Sequence, residues 1–255
     1  MQYTAETPQG SITYELTRKS VKNLNLRIQP DGTVTVSAPH HLPQQEIDAF
    51  VCKKARWILR ARQRALDTVQ VAPPDFSCQI GDEVQLLGRT ITIELGAGQP
   101  PASASQFGPG VLQGDHLILY PARSDTKGRM LAFRRFLDVY AQQLFDTLND
   151  EIAPLFAPLG VPKVPVTGWW MRARWGSCHT GSQKIILNKF LVHPPLQCAR
   201  YVLVHEYAHL VYPNHSAPFH ALVQYMMPSA KEQKALLARY SPQYEKTIGI
   251  SAKEP

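Results

Sequence analysis

Residues 196–212 form the segment that most limits how this chain can fold, because a helix over them carries apolar side chains on nearly every face. A helix of that kind lies inside a protein and not on its surface. Pro213 cannot continue the helix, so we expect it to end there. The helix includes Glu206, the one acidic residue between positions 152 and 231. A buried carboxylate is costly unless it is paired or lies near a metal ion, which indicates a polar site at Glu206.

Two histidines flank Glu206 with a helical spacing. His205 and His209 project from the same face, one turn apart, and two imidazoles so placed can bind one metal ion. Glu206 occupies the position of the general base in the His-Glu-x-x-His pattern of zinc hydrolases. His215 follows Pro213, where the chain can turn back and supply a third nitrogen. Three protein ligands with one position left for water are typical of a catalytic zinc site, so we predict one zinc ion per chain on these histidines.

Two other residues compete with His215 for the place of the third ligand. His220 lies five residues further on and could bind the metal or support the ligands. Glu232 is the second alternative because some zinc peptidases take a glutamate from a later helix, although its lysine neighbours favour a solvated face. The spacing of the three histidines matches that of the metzincins. Tyr212 stands where those enzymes need a glycine, so the sequence does not place the chain in that group.

The remaining patterns predict an α+β protein. Residues 12–38 alternate apolar and polar side chains, which indicates strands, and helical spacing over about 44–67 predicts one long helix. A hairpin is expected around Gly88. Helical patterns then dominate the C-terminal half, with only a small sheet. We therefore expect a β-rich N-terminal region over residues 1–124 and a mostly helical domain over residues 125–255.

A resemblance to a known family rests on four stretches, RWGSC at 174–178, ILN at 186–188, HEYAH at 205–209 and NHSAPF at 214–219. Together they resemble the YgjP-like metallopeptidases, distant relatives of the SprT and WLM zincin-like proteins. The N-terminal region is also similar to that family, so the resemblance covers nearly the whole chain. It implies a zincin-like C-terminal domain, with zinc on the three histidines and Glu206 as catalytic acid/base. His220 stands where a tryptophan is usual, which keeps His220 under consideration for the site.

Several residues near the motif are candidates to contact the substrate or to support the ligands. These candidates are Arg174, Ser177, Tyr212 and His220. An oxyanion could be stabilised by one of three tyrosines, Tyr207, Tyr212 or Tyr225. Gly176 is expected to permit a tight turn. Cys178 is interpreted as a packing residue because no catalytic dyad is visible, and the strand 164–174 could offer an edge to an extended peptide.

The chain is basic, with 27 Lys and Arg against 20 Asp and Glu, which gives a formal charge of +7. Six of the cations lie within residues 53–64, namely Lys53, Lys54, Arg56, Arg60, Arg62 and Arg64. One interpretation is a solvated helix face. The other is a stripe that associates weakly with nucleic acid, and the sequence leaves both open.

These residues predict a zinc-dependent hydrolase that acts on a peptide or protein. Glu206 would remove a proton from the attacking water and return it to the leaving amine. Two alternatives stay open. The same metal could act in hydrolysis of a nucleotide phosphoanhydride, although the sequence has no glycine-rich phosphate loop. A DNA-associated protease or binding protein, as among the SprT relatives, would use the basic stripe at residues 53–64.

Other features bear on where the protein is found. No apolar run approaches the roughly 20 residues that cross a bilayer, and the first residues lack the pattern of a secretion signal. The four cysteines lie far apart with no Cys-x-x-Cys pair, which argues against a disulfide framework. We therefore expect a cytoplasmic protein without a membrane partner.

Overall fold

The computed structural model describes residues 2–29, 31–69, 71–73, 75–101 and 107–240. It is an α+β protein, which confirms the predicted fold class. The chain divides into two compact units, Met1–Val69 and Gln70–Pro255. This division differs from the boundary expected near residue 124, because the strands between residues 83 and 119 pack within the second unit.

The first unit is a four-stranded sheet with one long helix. It contains β1 (Gln2–Thr7), β2 (Gly10–Arg18), β3 (Asn25–Ile28), β4 (Val34–Ala38) and α1 (Gln44–Leu66). The strand order is β1-β2-β4-β3, and β2 and β4 are the parallel pair. Alternate residues of β2 and β4 are buried, as their sequence pattern predicts, and they form one core with apolar side chains of α1. The helix predicted over residues 44–67 is confirmed.

The second unit begins with another four-stranded sheet and a long helix. It contains β5 (Glu83–Leu86), β6 (Arg89–Leu95), β7 (Gly110–Gln113), β8 (His116–Leu119) and α2 (Thr126–Phe156), and the strand order is β5-β6-β8-β7. The expected hairpin around Gly88 joins β5 to β6. A Cβ atom at Gly110 would lie only 2.5 Å from the Phe136 ring, so β7 packs directly on α2. The Leu87 N–H also donates to the Val192 carbonyl at 2.7 Å. These contacts make this sheet part of the second unit.

A three-stranded sheet and three helices complete the described chain. They are β9 (Val166–Trp169), β10 (Gly176–His179), β11 (Lys184–Asn188), α3 (Leu196–Val211), α4 (Ala217–Met226) and α5 (Ala230–Leu237). Short 3-10 helices cover Ala157–Leu159, Thr180–Ser182 and Lys189–Val192. The strand order is β10-β11-β9, with β9 parallel and β10 antiparallel to β11. No helix within the described residues combines the length and apolar character needed to span a bilayer.

Helix α3 is the buried helix that the sequence predicts, with nine of its 16 residues buried. Tyr207 holds one side of it, because its hydroxyl donates to Asn149 Oδ1 at 2.6 Å and accepts from the Val164 N–H at 3.2 Å. The helix ends at Val211, and Tyr212 adopts an extended conformation before the proline, as residues in that position prefer. The side of α3 away from Tyr207 carries the histidines of the motif.

Candidate metal centre and active site

Three histidines meet where α3 ends and the chain turns back. His205 and His209 lie one turn apart on α3, and His215 stands just before α4. Their ring centroids are 4.7–5.0 Å apart. One ring nitrogen of each lies within 4.8 Å of the other two, and they form the one such cluster found among the described residues. The structure therefore brings together the three residues that the sequence predicts as ligands.

The donor atoms of this cluster fit a zinc ion. Two nitrogens bound to tetrahedral zinc lie about 3.3 Å apart, given zinc–nitrogen distances of about 2.0–2.1 Å. His205 Nε2 and His215 Nε2 are 3.1 Å apart. His209 Nδ1 lies 3.2 Å from the Tyr212 carbonyl oxygen, which can only accept, so Nδ1 carries the proton and Nε2 is left for a metal.

The protonation states of the two α3 histidines agree with metal binding. Burial, together with the neighbouring histidines, lowers the pKa of His205 to about 4. Burial also lowers the pKa of His209. Both rings are therefore neutral at neutral pH, and the neutral imidazole is the form that binds metals. Phe219 is fully buried and packs against all three histidine rings at centroid distances of 4.5–4.9 Å, so it limits how they can rotate.

The two rival ligands lie outside the cluster. The His220 ring stacks on the His215 ring with a centroid distance of 6.1 Å, and His220 is exposed on α4. Glu232 is exposed on α5, which matches the solvated face that its lysine neighbours indicate. Neither residue belongs to the group of converging donor atoms found in the described part of the chain.

Glu206 is buried against strand β10. Its side chain has 6% exposure, and its carboxylate accepts a hydrogen bond from the Cys178 backbone N–H. Burial raises the pKa of Glu206 to about 7, although the Cys178 N–H and the charge of Arg174 oppose the shift. A Cβ atom on Gly176 would lie 2.7 Å from Glu206 Oε1. Gly176 is thus a strand residue whose missing side chain makes room for Glu206, and not the tight-turn residue that we expected.

Three further candidates, Arg174, Ser177 and Cys178, lie on β10 or just before it. Arg174 is exposed, and its charge acts on Glu206. Ser177 lies on β10 with its Oγ 3.4 Å from His179 Nε2. Burial raises the pKa of the Cys178 thiol to about 11, so it stays protonated at neutral pH, which supports its interpretation as a packing residue.

The three tyrosines proposed for an oxyanion are not equivalent. The Tyr207 hydroxyl is buried and already bonded to Asn149 and Val164, so it cannot reach a substrate. Tyr225 is 81% exposed on α4. Tyr212 contributes its carbonyl group to His209, and its ring is partly exposed. The structure thus contradicts the prediction for Tyr207 and leaves Tyr212 and Tyr225 as predictions.

The expected substrate edge on the strand within residues 164–174 is covered. Gln142 of α2 donates from Nε2 to the Val166 carbonyl, and the Gly168 N–H donates to Gln142 Oε1, both at 3.0 Å. The outer edge of β9 is therefore occupied. The other outer strand, β10, lies beside Glu206 and has no further strand paired to it among the described residues.

Two residues near the site were missed by the sequence analysis. A cavity of about 330 Å³ lies beside His205 and Glu206, and its lining includes Tyr201 and Lys234. Tyr201 could have been found, because it precedes His205 by four residues and so shares its helix face. Lys234 comes from α5, and no local pattern connects that helix to the motif.

Comparison with protein-family models gives a match over most of the chain. The family model described as YgjP-like, metallopeptidase domain, matches residues 22–240. No curated protein matches the chain. The matched residues include α3, α4 and the whole histidine cluster.

Proposed function

Because this chain belongs to the YgjP-like metallopeptidase family, we propose that it is a zinc-dependent peptidase with its active site on α3. The observation that carries the proposal is the convergence of three imidazole nitrogens within 4.8 Å of one another, next to a buried carboxylate. His205, His209 and His215 would hold the zinc ion. A bound zinc ion supplies Lewis acidity, which polarises a carbonyl group and makes water more acidic.

Glu206 carries the proton in this proposal. Its carboxylate accepts a proton from the water that attacks the peptide carbonyl carbon, and it donates the same proton to the amine nitrogen as the C–N bond breaks. The Cys178 N–H fixes the orientation of the carboxylate by a hydrogen bond, and the absence of a side chain at Gly176 leaves room for it. A carboxylate that is already oriented loses little freedom when it transfers the proton.

Strand β10 provides the place for the peptide chain. An extended peptide can add to an exposed strand edge through main-chain hydrogen bonds. Gly176 and Cys178 of β10 lie directly against Glu206, so a peptide on this edge would have a carbonyl group next to the proton carrier. The covered edge of β9 supports β10 as the binding strand.

The test is a comparison of two glutamates. We expect Glu206→Gln to retain about one zinc ion per chain and to lose cleavage of an unfolded protein substrate. Glu232→Gln is the matched control, because Glu232 is exposed on α5, and it should keep both zinc and cleavage. A chelator should stop cleavage and added zinc should restore it. Undiminished cleavage by the Glu206 variant would remove Glu206 from its role.

The same assay separates the peptidase from the nucleotide hydrolase. Nucleoside triphosphates are offered beside the unfolded protein, and the released products are identified by mass spectrometry. We expect cleaved peptide bonds and intact triphosphates. Zinc-dependent triphosphate hydrolysis that is lost in Glu206→Gln, with no peptide product, would replace the peptidase proposal by the phosphoanhydride alternative.

One face of α1 has the composition of a surface that binds a second partner, nucleic acid. Lys53, Arg56, Arg60 and Arg64 are exposed along this face, and Trp57 among them is 52% exposed. Cations bind phosphates and an exposed indole stacks on bases, a combination suited to single-stranded nucleic acid. We propose weak binding of single strands on this face, which we name the α1 basic face.

The salt dependence of oligonucleotide binding tests the proposal for the α1 basic face. Binding of a labelled oligothymidine should weaken steeply with added salt. The double variant Arg56→Ala, Arg60→Ala should reduce the magnitude of the negative slope of log K against log salt by about 1.4, since each phosphate contact on a single strand contributes about −0.7. Lys22→Ala is the control, because Lys22 is exposed in the same unit but outside α1. Absence of binding at low salt would exclude this partner.

A further inference from the structure

The cavity beside the histidine cluster is not used by the proton transfer. It has a volume of about 330 Å³ and lies against Glu206 and His205. Its walls come from α3, from α5 and from the start of β10. The lining residues that the argument uses are Trp175, Tyr201, Val202, Lys234 and Leu237. A cavity in this position can hold a part of the substrate close to the bond that is cleaved.

The size and the walls of the cavity indicate what it holds. Pockets for drug-sized ligands have volumes of about 300–1,000 Å³, and this cavity is at the lower end of that range. It suits a single side chain. Trp175, Val202 and Leu237 give it largely apolar walls, which suit the methylene groups or ring of that side chain.

Among the described residues, Lys234 is the one cation that lines the cavity. Lys234 is exposed, and it takes part in none of the ion pairs found among the described residues. Between positions 152 and 240 the chain has only two carboxylates, Glu206 and Glu232. Within the part of the chain that the structure describes, no carboxylate pairs with Lys234, so its charge is available to a carboxylate of the substrate.

We propose that this cavity binds the residue next to the cleaved bond and that Lys234 selects substrates with a carboxylate on that residue. The inference rests on the proposed peptidase function and names its substrate class. The carboxylate has two sources, an acidic side chain within a peptide or the free C-terminus of a peptide. A glutamate fits better than an aspartate, because its longer apolar stem can follow the walls while its carboxylate meets the ammonium group.

A set of matched peptides tests the selection on the zinc-loaded, full-length protein. The peptides carry Glu, Gln or Lys on either side of one cleavable bond. A second pair ends just after that bond with a free or an amidated C-terminus. We expect kcat/KM to be about fivefold higher for Glu than for Gln, because ion pairs near solvent contribute modestly. The difference should lie mainly in KM, since Lys234 is not part of the proton transfer.

Two variants of Lys234 and one control variant test whether Lys234 causes the preference for the Glu peptide. Lys234→Met should remove the difference between the Glu and Gln peptides, and Lys234→Glu should reverse it in favour of the Lys peptide. Lys231→Met is the control, because Lys231 is exposed on the same helix and does not line the cavity, and it should keep the preference for Glu. Calorimetric binding of the same peptides to Glu206→Gln gives the preference without turnover.

The outcomes separate this inference from the proposed function. Cleavage and binding of the Glu, Gln and Lys peptides at equal rates and affinities would overturn the selection by Lys234 and leave the peptidase intact. A preference only for the free C-terminus would identify the terminal carboxylate as the ligand. If every peptide is neither bound nor cleaved while zinc is present, both the peptidase and this inference fail.

Discussion

Two histidines of the second unit, the buried His193 and the half-buried His205, have pKa values lowered to a similar extent and differ in their chemistry. Burial lowers the pKa of both His193 and His205 to about 4. His193 follows β11, and its Nδ1 donates to the Gln85 carbonyl at 2.7 Å, which ties it to β5. The Nε2 of His205 lies 3.1 Å from that of His215. Burial alone therefore does not identify a metal site, whereas convergence of ring nitrogens does.

The largest effect that we expect is the loss of the metal on removal of one converging ring. His215→Ala should leave two histidines, so dialysed protein should retain little zinc and show no cleavage. His220→Ala is the matched control, because its ring only stacks on His215, and it should keep about one zinc ion per chain. Metal analysis after dialysis measures both. Zinc loss in the His220 variant with retention in the His215 variant would exchange their roles.

The next effect separates catalysis from metal binding within the site. Gly176→Ala should displace Glu206, because its new methyl group would lie 2.7 Å from Oε1. Displacement of a reacting group by about 1 Å can lower a rate by about 100-fold, and zinc content should not change. Gly181→Ala is the control, since a methyl group on Gly181 would have no atom within 4 Å from residues other than its two chain neighbours. Equal kcat values for the two variants would contradict the contact with Glu206.

His193 should show its structural role in the pH dependence of unfolding. Its folded pKa of about 4 lies below the ordinary value of 6.5, so below pH 6.5 the unfolded chain binds a proton that the folded chain does not. Its contribution to stability is complete above pH 6.5 and is lost progressively as the pH falls to 4. The loss is about 3 kcal/mol, at about 1.4 kcal/mol for each pKa unit.

Denaturant unfolding at several pH values measures this loss. The free energy of unfolding should fall more steeply between pH 6.5 and 4 for the native chain than for His193→Gln, whose side chain does not titrate. The histidine cluster contributes to both curves and cancels in their difference. Parallel curves would show that His193 is not buried in its neutral form.

The smallest effect concerns the side of α3 away from the metal cluster. Tyr207→Phe removes the hydroxyl that joins Asn149 and Val164. The free energy of unfolding should fall by about 1–3 kcal/mol, because two buried polar groups lose a partner. Zinc content and kcat should stay unchanged, as measured beside the native protein. A loss of kcat with unchanged stability would make Tyr207 an oxyanion candidate again.

The local part of the site follows from the sequence pattern. The 3.6-residue repeat of a helix places His205 and His209 on one face, and Pro213 ends that helix before His215. The alternation in β2 and β4 and the helix over residues 44–67 were predicted for the same reason, since local periodicity depends only on neighbours along the chain.

Which distant residues meet depends on the tertiary structure. It placed the donor atom of His215, and not that of Glu232, beside those of His205 and His209. It used the missing side chain of Gly176 to admit Glu206 and covered β9 with Gln142. It also assigned the strands between residues 83 and 119 to the second unit. These outcomes depend on how side chains from separate elements fill space around α3, and no repeat along the sequence encodes such packing.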